Sequence, residues 1–134
     1  MDDNAAKHTH LQMIQGVINR LSNNSFLLKG WAVVLVSGLF AFAAKDAKAH
    51  FIYIAYFPCV VFWGLDGYFL LLERRFRTLY REVSKCDTRA IDYSMDASKF
   101  HESWLKAVFS KTLLSFHGVI VLTIITVTLV TLCS

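Results

Sequence analysis

The sequence lacks the short motifs that mark most enzymes. It has no glycine-rich phosphate loop, no His-Glu-x-x-His helix and no nucleophile elbow, so its serines, histidines and aspartates carry no evidence for hydrolysis. Cysteine is scarce: Cys59 lies in an apolar run, Cys86 in a basic segment and Cys133 next to the last residue, positions that suit neither a metal site nor paired disulfides. His8 and His10 are two apart and do not share a helical face, which argues against a metal there. The polar start, residues 1–12, lacks the basic region and apolar core of a cleaved signal peptide. No catalytic residue, cofactor or metal is therefore expected, and the chain is not expected to be an enzyme. Charge is also missing from three long blocks.

Those blocks decide the fold class, because a soluble domain of this size has no use for three of them. The first, Phe26–Ala44, is apolar except for Lys29, with Trp31 two residues further on, a cation and an aromatic placed as interface anchors. The second, Phe51–Leu72, would span roughly 33 Å as a helix, enough for a hydrocarbon core of about 30 Å, and is interrupted only by Asp66. The third, residues 112–134, is uncharged and rich in Thr, Val, Ile and Leu. Such β-branched content favours strands in water, but an isolated strand in lipid leaves its backbone unsatisfied, so helix wins. The chain reads as an all-α integral membrane protein, a single membrane domain over residues 1–134 with transmembrane helices at 26–44, 51–72 and 112–134.

Amphipathic helices are expected outside the blocks. Residues 1–7 carry no pattern and are expected to fray. Within 8–24, Leu11, Ile14, Ile18 and Leu21 fall on one helical face. Ser22-Asn23-Asn24-Ser25 should end that helix, with Asn24 or Ser25 capping the next. Lys45–His50 reads as a tight turn joining spans one and two in an antiparallel hairpin, and Pro58 is expected to kink span two. Gly30, Gly38 and Ala41 on span one, with Gly64 and Gly67 on span two, permit close helix contact. Past Leu72, the stripe Phe76, Leu79, Tyr80 and Val83 carries the helix to about residue 85. This stripe and the one on 8–24 must each be buried, against one another or against a neighbouring subunit, and are the candidate collar or oligomer interface. Residues 86–96 read as a loop, and 97–111 as a further helix, capped by Asp96, in which Phe100, Trp104 and Val108 recur every four residues.

Nine of the fourteen Lys and Arg lie between Arg74 and Lys111, so the positive-inside rule places the N-terminus and the basic segment in the cytoplasm and the C-terminus outside. Arg74, Arg75, Arg77 and Arg81 form a basic stem suited to anionic lipid or an acidic partner, and the net charge of +4 is read as topology rather than nucleic-acid binding. An embedded carboxylate costs about 2.5 to 3.5 kcal/mol at a helix centre, so Asp66 needs a partner, and Lys29 is the candidate. His117, near the start of the third span, is expected to be packed and neutral. Thr112, Thr123 and Thr126 share a sector of that span and are candidate pore-lining residues, unless their hydroxyls bond their own helix.

At MIQGVINRLSNNSFLLKGW, FWGLDGYFLLLERRFRTLY and DYSMD the chain resembles small bacterial multi-pass membrane proteins found near antiviral loci, the SLATT two-span effectors and octameric RipA-type proteins, to which a CRISPR accessory pore protein is also similar. The resemblance covers roughly residues 8–96. It implies a homo-oligomeric ring in the bacterial inner membrane, a pore made by the spans, and a cytoplasmic collar that receives a signal from a protein or nucleotide partner. It carries Asn24, Ser25, Lys29 and Trp31 to the entry of span one, and Asp66 and Arg74 to Arg77 to the exit of span two. The third span departs from a two-span effector, and the Arg/His spacing of a HEPN-type ribonuclease is absent. The expected function is an oligomeric pore or membrane-perturbing effector that depolarises the inner membrane during phage infection. The alternatives are a non-conducting membrane anchor for a cytoplasmic partner, and a small transporter using Asp66.

Overall fold

The computed structural model describes residues 2–46 and 49–133, which fold as helices and irregular connections with no strand among the described residues. The helices are α1 (Asp3–Asp46), α2 (His50–Ile54), α3 (Tyr56–Lys85), α4 (Trp104–Val108) and α5 (Lys111–Cys133), with a 3-10 turn at Thr88–Ala90. Three stretches are long and apolar enough to cross a membrane: Asp3–Lys45, His50–Lys85 and Lys111–Cys133. Their surfaces expose Phe26, Phe57, Val60, Val119 and Leu122, as suits helices that cross an apolar layer. The turn expected at Lys45–His50 includes residues 47 and 48, which lie outside the described residues.

α1 is one helix where two were expected. Ser22, Asn23, Asn24 and Ser25 pass through its interior without a break, and residues 3–7, expected to fray, are helical. Each Ser or Asn costs an interior turn roughly half a kcal/mol relative to alanine, whereas a break would strand backbone N–H and C=O groups at the entry to an apolar layer, at about 1 to 3 kcal/mol each. The start of α1 is also tied down. Lys7 Nζ donates to the carbonyls of Ser84 (3.0 Å) and Cys86 (2.8 Å), capping the C-terminus of α3 with a cation.

Pro58 acts upstream of itself. It lies in the first turn of α3, where a missing N–H is tolerated, and the interruption falls at Ala55, whose N–H reaches back only three residues to Ile52 at 3.2 Å. Beyond this jog α3 runs unbroken for 30 residues, about 45 Å.

Two apolar cores hold the helices together. Between the spans, Val36 of α1, Ile52, Ala55 and Cys59 of the α2–α3 arm and Ile124 of α5 are buried together, with Tyr56 donating to Thr128 Oγ1 at 3.3 Å nearby. At the basic end, Ile14 and Ile18 of α1 meet Leu79 and Val83 of α3 and Ala97, with Leu11, Phe76, Tyr80, Ile91, Met95 and Phe100 around them. Leu21 is buried as well. Of the two burial partners expected for these stripes, each other or a neighbouring subunit, the first is what the fold uses: they face each other within one chain, each supplying the apolar partner the other needs.

The helix expected at 97–111 is reduced to α4, residues 104–108. The reason is the alternation Asp92-x-Ser94-x-Asp96-x-Ser98. Asp92 Oδ1 accepts from the N–H of Ser94 (3.1 Å), Ser94 Oγ from that of Asp96 (3.1 Å), and Asp96 Oδ1 from that of Ser98 (2.9 Å). Side-chain bonds two residues ahead compete with helix formation, and Tyr93 takes a left-handed φ of 54° within the run. Held out of a helix, the segment lays Ile91, Met95, Ala97 and Phe100 onto the basic-end core.

Candidate functional site

The site grows from one carboxylate. Asp66 is fully buried in α3, and three donors from the other two long helices converge on it. Lys29 Nζ of α1 lies 2.6 Å from Oδ2, His117 Nε2 of α5 lies 2.9 Å from the same oxygen, and Ser25 of α1 donates its hydroxyl to Oδ1. Lys29 in turn donates to Ser25 Oγ at 2.8 Å, one helical turn away. Because it faces a carboxylate oxygen, His117 Nε2 carries the proton of that contact. Its Nδ1 is buried without a hydrogen-bond partner.

Aromatic rings enclose the cluster. Trp63, three residues before Asp66 on α3, stacks on His117 with centroids 5.8 Å apart and planes within 8°. Lys29 Nζ sits 5.9 Å from the centre of the Phe116 ring, a cation–π contact. The indoles also fasten α4 across the bundle: Trp63 Nε1 donates to Val108 O (2.9 Å) and Trp104 Nε1 to Gly64 O (3.1 Å). Gly67 makes this possible, because a Cβ there would come within 2.4 Å of Val108 Cγ2.

The pairing of Lys29 with Asp66 joins residues that the sequence singled out as embedded charges. Two further members were not recognised as such. Ser25 was read as a cap and His117 only as a packed residue. Counting from the basic boundary could have found His117: it lies six residues past Lys111 and Asp66 seven before Glu73, so both sit about 9 to 10 Å along their helices. The remaining candidates are dispersed. Arg77 is exposed and pairs with Glu73 at 2.7 Å, Arg81 donates to Thr78 Oγ1 at 3.2 Å, Arg74 and Arg75 are half-buried, and Arg75 Nε has no partner. Trp31 and Thr112 are exposed. Thr123 and Thr126, also exposed, donate to the carbonyls of Val119 and Leu122 at 2.8 Å, the own-helix alternative.

Chemically the cluster is a charge-balanced lock. It ties all three spans at one level. Among the described residues no group of three or more His, Cys, Asp or Glu side chains is arranged to hold a metal. Comparisons with protein-family models, with curated proteins and with solved structures found no match to this chain.

Proposed function

We propose that this chain is the subunit of a homo-oligomeric pore in the bacterial inner membrane, opened during phage infection to depolarise the cell. The observation that carries the reading is the continuity of α1 and α3, each of which runs without a break from the Asp66 level to the core at the basic end. A force applied to that end therefore acts directly on the helices that the cluster locks. Within one chain Asp66 and His117 are buried among the three long helices, so in this reading the conducting path lies between several copies, with the basic ends as a collar that receives the signal. The sequence resemblance supports the same reading.

The test is a potential-sensitive dye in cells expressing the protein during phage challenge. Depolarisation that coincides with growth arrest, and is absent in cells lacking the protein, is the expected result. Unchanged polarisation in infected, arrested cells overturns the pore. A defined hetero-complex without ion leakage, isolated from the same cells, would identify a membrane anchor instead.

A further inference from the structure

Beside the cluster, the three spans leave a cavity of about 320 Å³ lined by Ser22, Ser25, Phe26, Lys29, Leu70, Glu73, Thr112 and Leu113. Its position is unusual in being amphipathic along the helix direction. Glu73 and Thr112 stand at the boundary where the apolar spans meet the basic segment, while Phe26, Leu70 and Leu113 line the apolar side. The cavity holds one cation and one anion, both poorly exposed, at 17% for Lys29 and 12% for Glu73.

Neither charge has its hydrogen bonds filled. Two of the three N–H groups of Lys29 go to Asp66 Oδ2 and Ser25 Oγ, which leaves one. Both contacts from Arg77 to Glu73 fall on Oε1, which leaves Oε2. Lys29 is paired with Asp66 and Glu73 with Arg77, yet each turns an open hydrogen-bonding position toward the same cavity, and a cation and an anion so placed near a lipid–water boundary suit a ligand with both signs and an apolar tail. We infer that this cavity binds the phosphoethanolamine head group of a membrane phospholipid. Its phosphate accepts from Lys29 and from the Ser22 and Thr112 hydroxyls, its primary ammonium donates to Glu73 at the boundary, and its acyl chains continue beyond Lys29 into the apolar layer. An anionic glycerol head group offers nothing to Glu73, and a choline head group carries its charge without an N–H to donate. The inference is independent of pore activity.

The experiment is native mass spectrometry of the delipidated full-length protein in detergent, titrated with phosphatidylethanolamine, phosphatidylcholine and phosphatidylglycerol of identical acyl chains. Phosphatidylethanolamine is expected to bind about tenfold more tightly than either of the others, the equivalent of one charge-assisted hydrogen bond. Glu73→Gln is expected to abolish that preference and leave phosphatidylglycerol binding unchanged, and Thr112→Val to weaken phosphatidylethanolamine without touching the Arg77 pair. Equal binding of the three lipids, or an unchanged preference in Glu73→Gln, overturns the site. Soluble glycerophosphoethanolamine binding as tightly as the lipid overturns the membrane lipid as the ligand.

Discussion

Asp66 receives donors from Ser25, Lys29 and His117 at zero exposure, so its charge cannot be removed without leaving Lys29 stranded. Asp66→Leu removes that charge at similar volume, and loss of one partner of a buried pair costs about 3 to 5 kcal/mol. Lys29→Met should cost a similar amount for the opposite reason. Replacing both, Lys29→Met with Asp66→Leu, removes the pair as a unit and should recover much of the loss. Recovery will be incomplete because His117 Nε2 then has no acceptor. Thermal unfolding of the four proteins in one detergent closes the cycle, with an expected coupling of about 1 to 3 kcal/mol; additive effects would show that the two charges do not interact. This pair was legible in the sequence because a charge inside an apolar block must find a partner, and only two such charges exist in the first two spans. Ser25 and His117 were not. An uncharged polar side chain can bond its own helix or sit at an interface at little cost, and which it does depends on helix rotation, which packing sets.

Glycine and loop chemistry separate the elements that were readable from those that were not. The three spans were readable because length and apolarity suffice for them. α4 and the 91–103 segment were not, because Phe100, Trp104 and Val108 keep a helical spacing while the Asp/Ser alternation upstream diverts the backbone. The continuity of α1 was hidden by capping residues whose local preference is weaker than the cost of a break beside lipid. Two glycines test the packing. Gly16 is exposed on α1 with nothing within 4 Å, so Gly16→Ala should stabilise by about 0.5 to 1 kcal/mol through helix propensity. Gly67→Ala gains the same propensity but drives a methyl to 2.4 Å from the stiff, β-branched Val108, with the Val108 backbone only 3.3 Å away, and overpacking costs about 1 to 3 kcal/mol. Opposite shifts in melting temperature are expected, and Val108→Ala should relieve part of the second. The acidic segment has its own signature. Hydrogen bonds from Ser98, aided by Lys99, hold the Asp96 carboxyl below the usual carboxylate range. A lowered folded value means that its contribution is complete above the ordinary pKa of about 3.9 and is lost as pH falls through the folded value. An NMR titration following the Ser98 amide should give a midpoint below that ordinary value; a midpoint at or above it would show that the turn does not hold Asp96 in solution.

The whole molecule behaves as two packed ends joined by two rods. At one end α1, α3 and α5 bury Val36, Cys59 and Ile124; at the other, α1 and α3 bury Ile14, Ile18, Leu79 and Val83, with the charged lock between. Because α3 is continuous, the rotational phase of its two halves is fixed, and that phase can be broken without touching either core. Inserting Ala-Ala between Arg74 and Arg75 turns everything beyond by about 200° and points Phe76, Leu79 and Val83 away from α1. Burial of each large side chain is worth roughly 1.5 to 3 kcal/mol, so the basic end should come apart while the spans remain inserted. Inserting four residues turns the far half by about 400°, within 40° of its original phase, and the stripe can re-pair one turn along. The expected pattern is membrane fractionation unchanged in both variants, protease cleavage within 91–103 in the two-residue insertion alone, and phage-triggered depolarisation lost there but retained in part with four. Depolarisation that survives the two-residue insertion at full strength would show that the basic end does not drive the spans, and the rods would then be structural supports only.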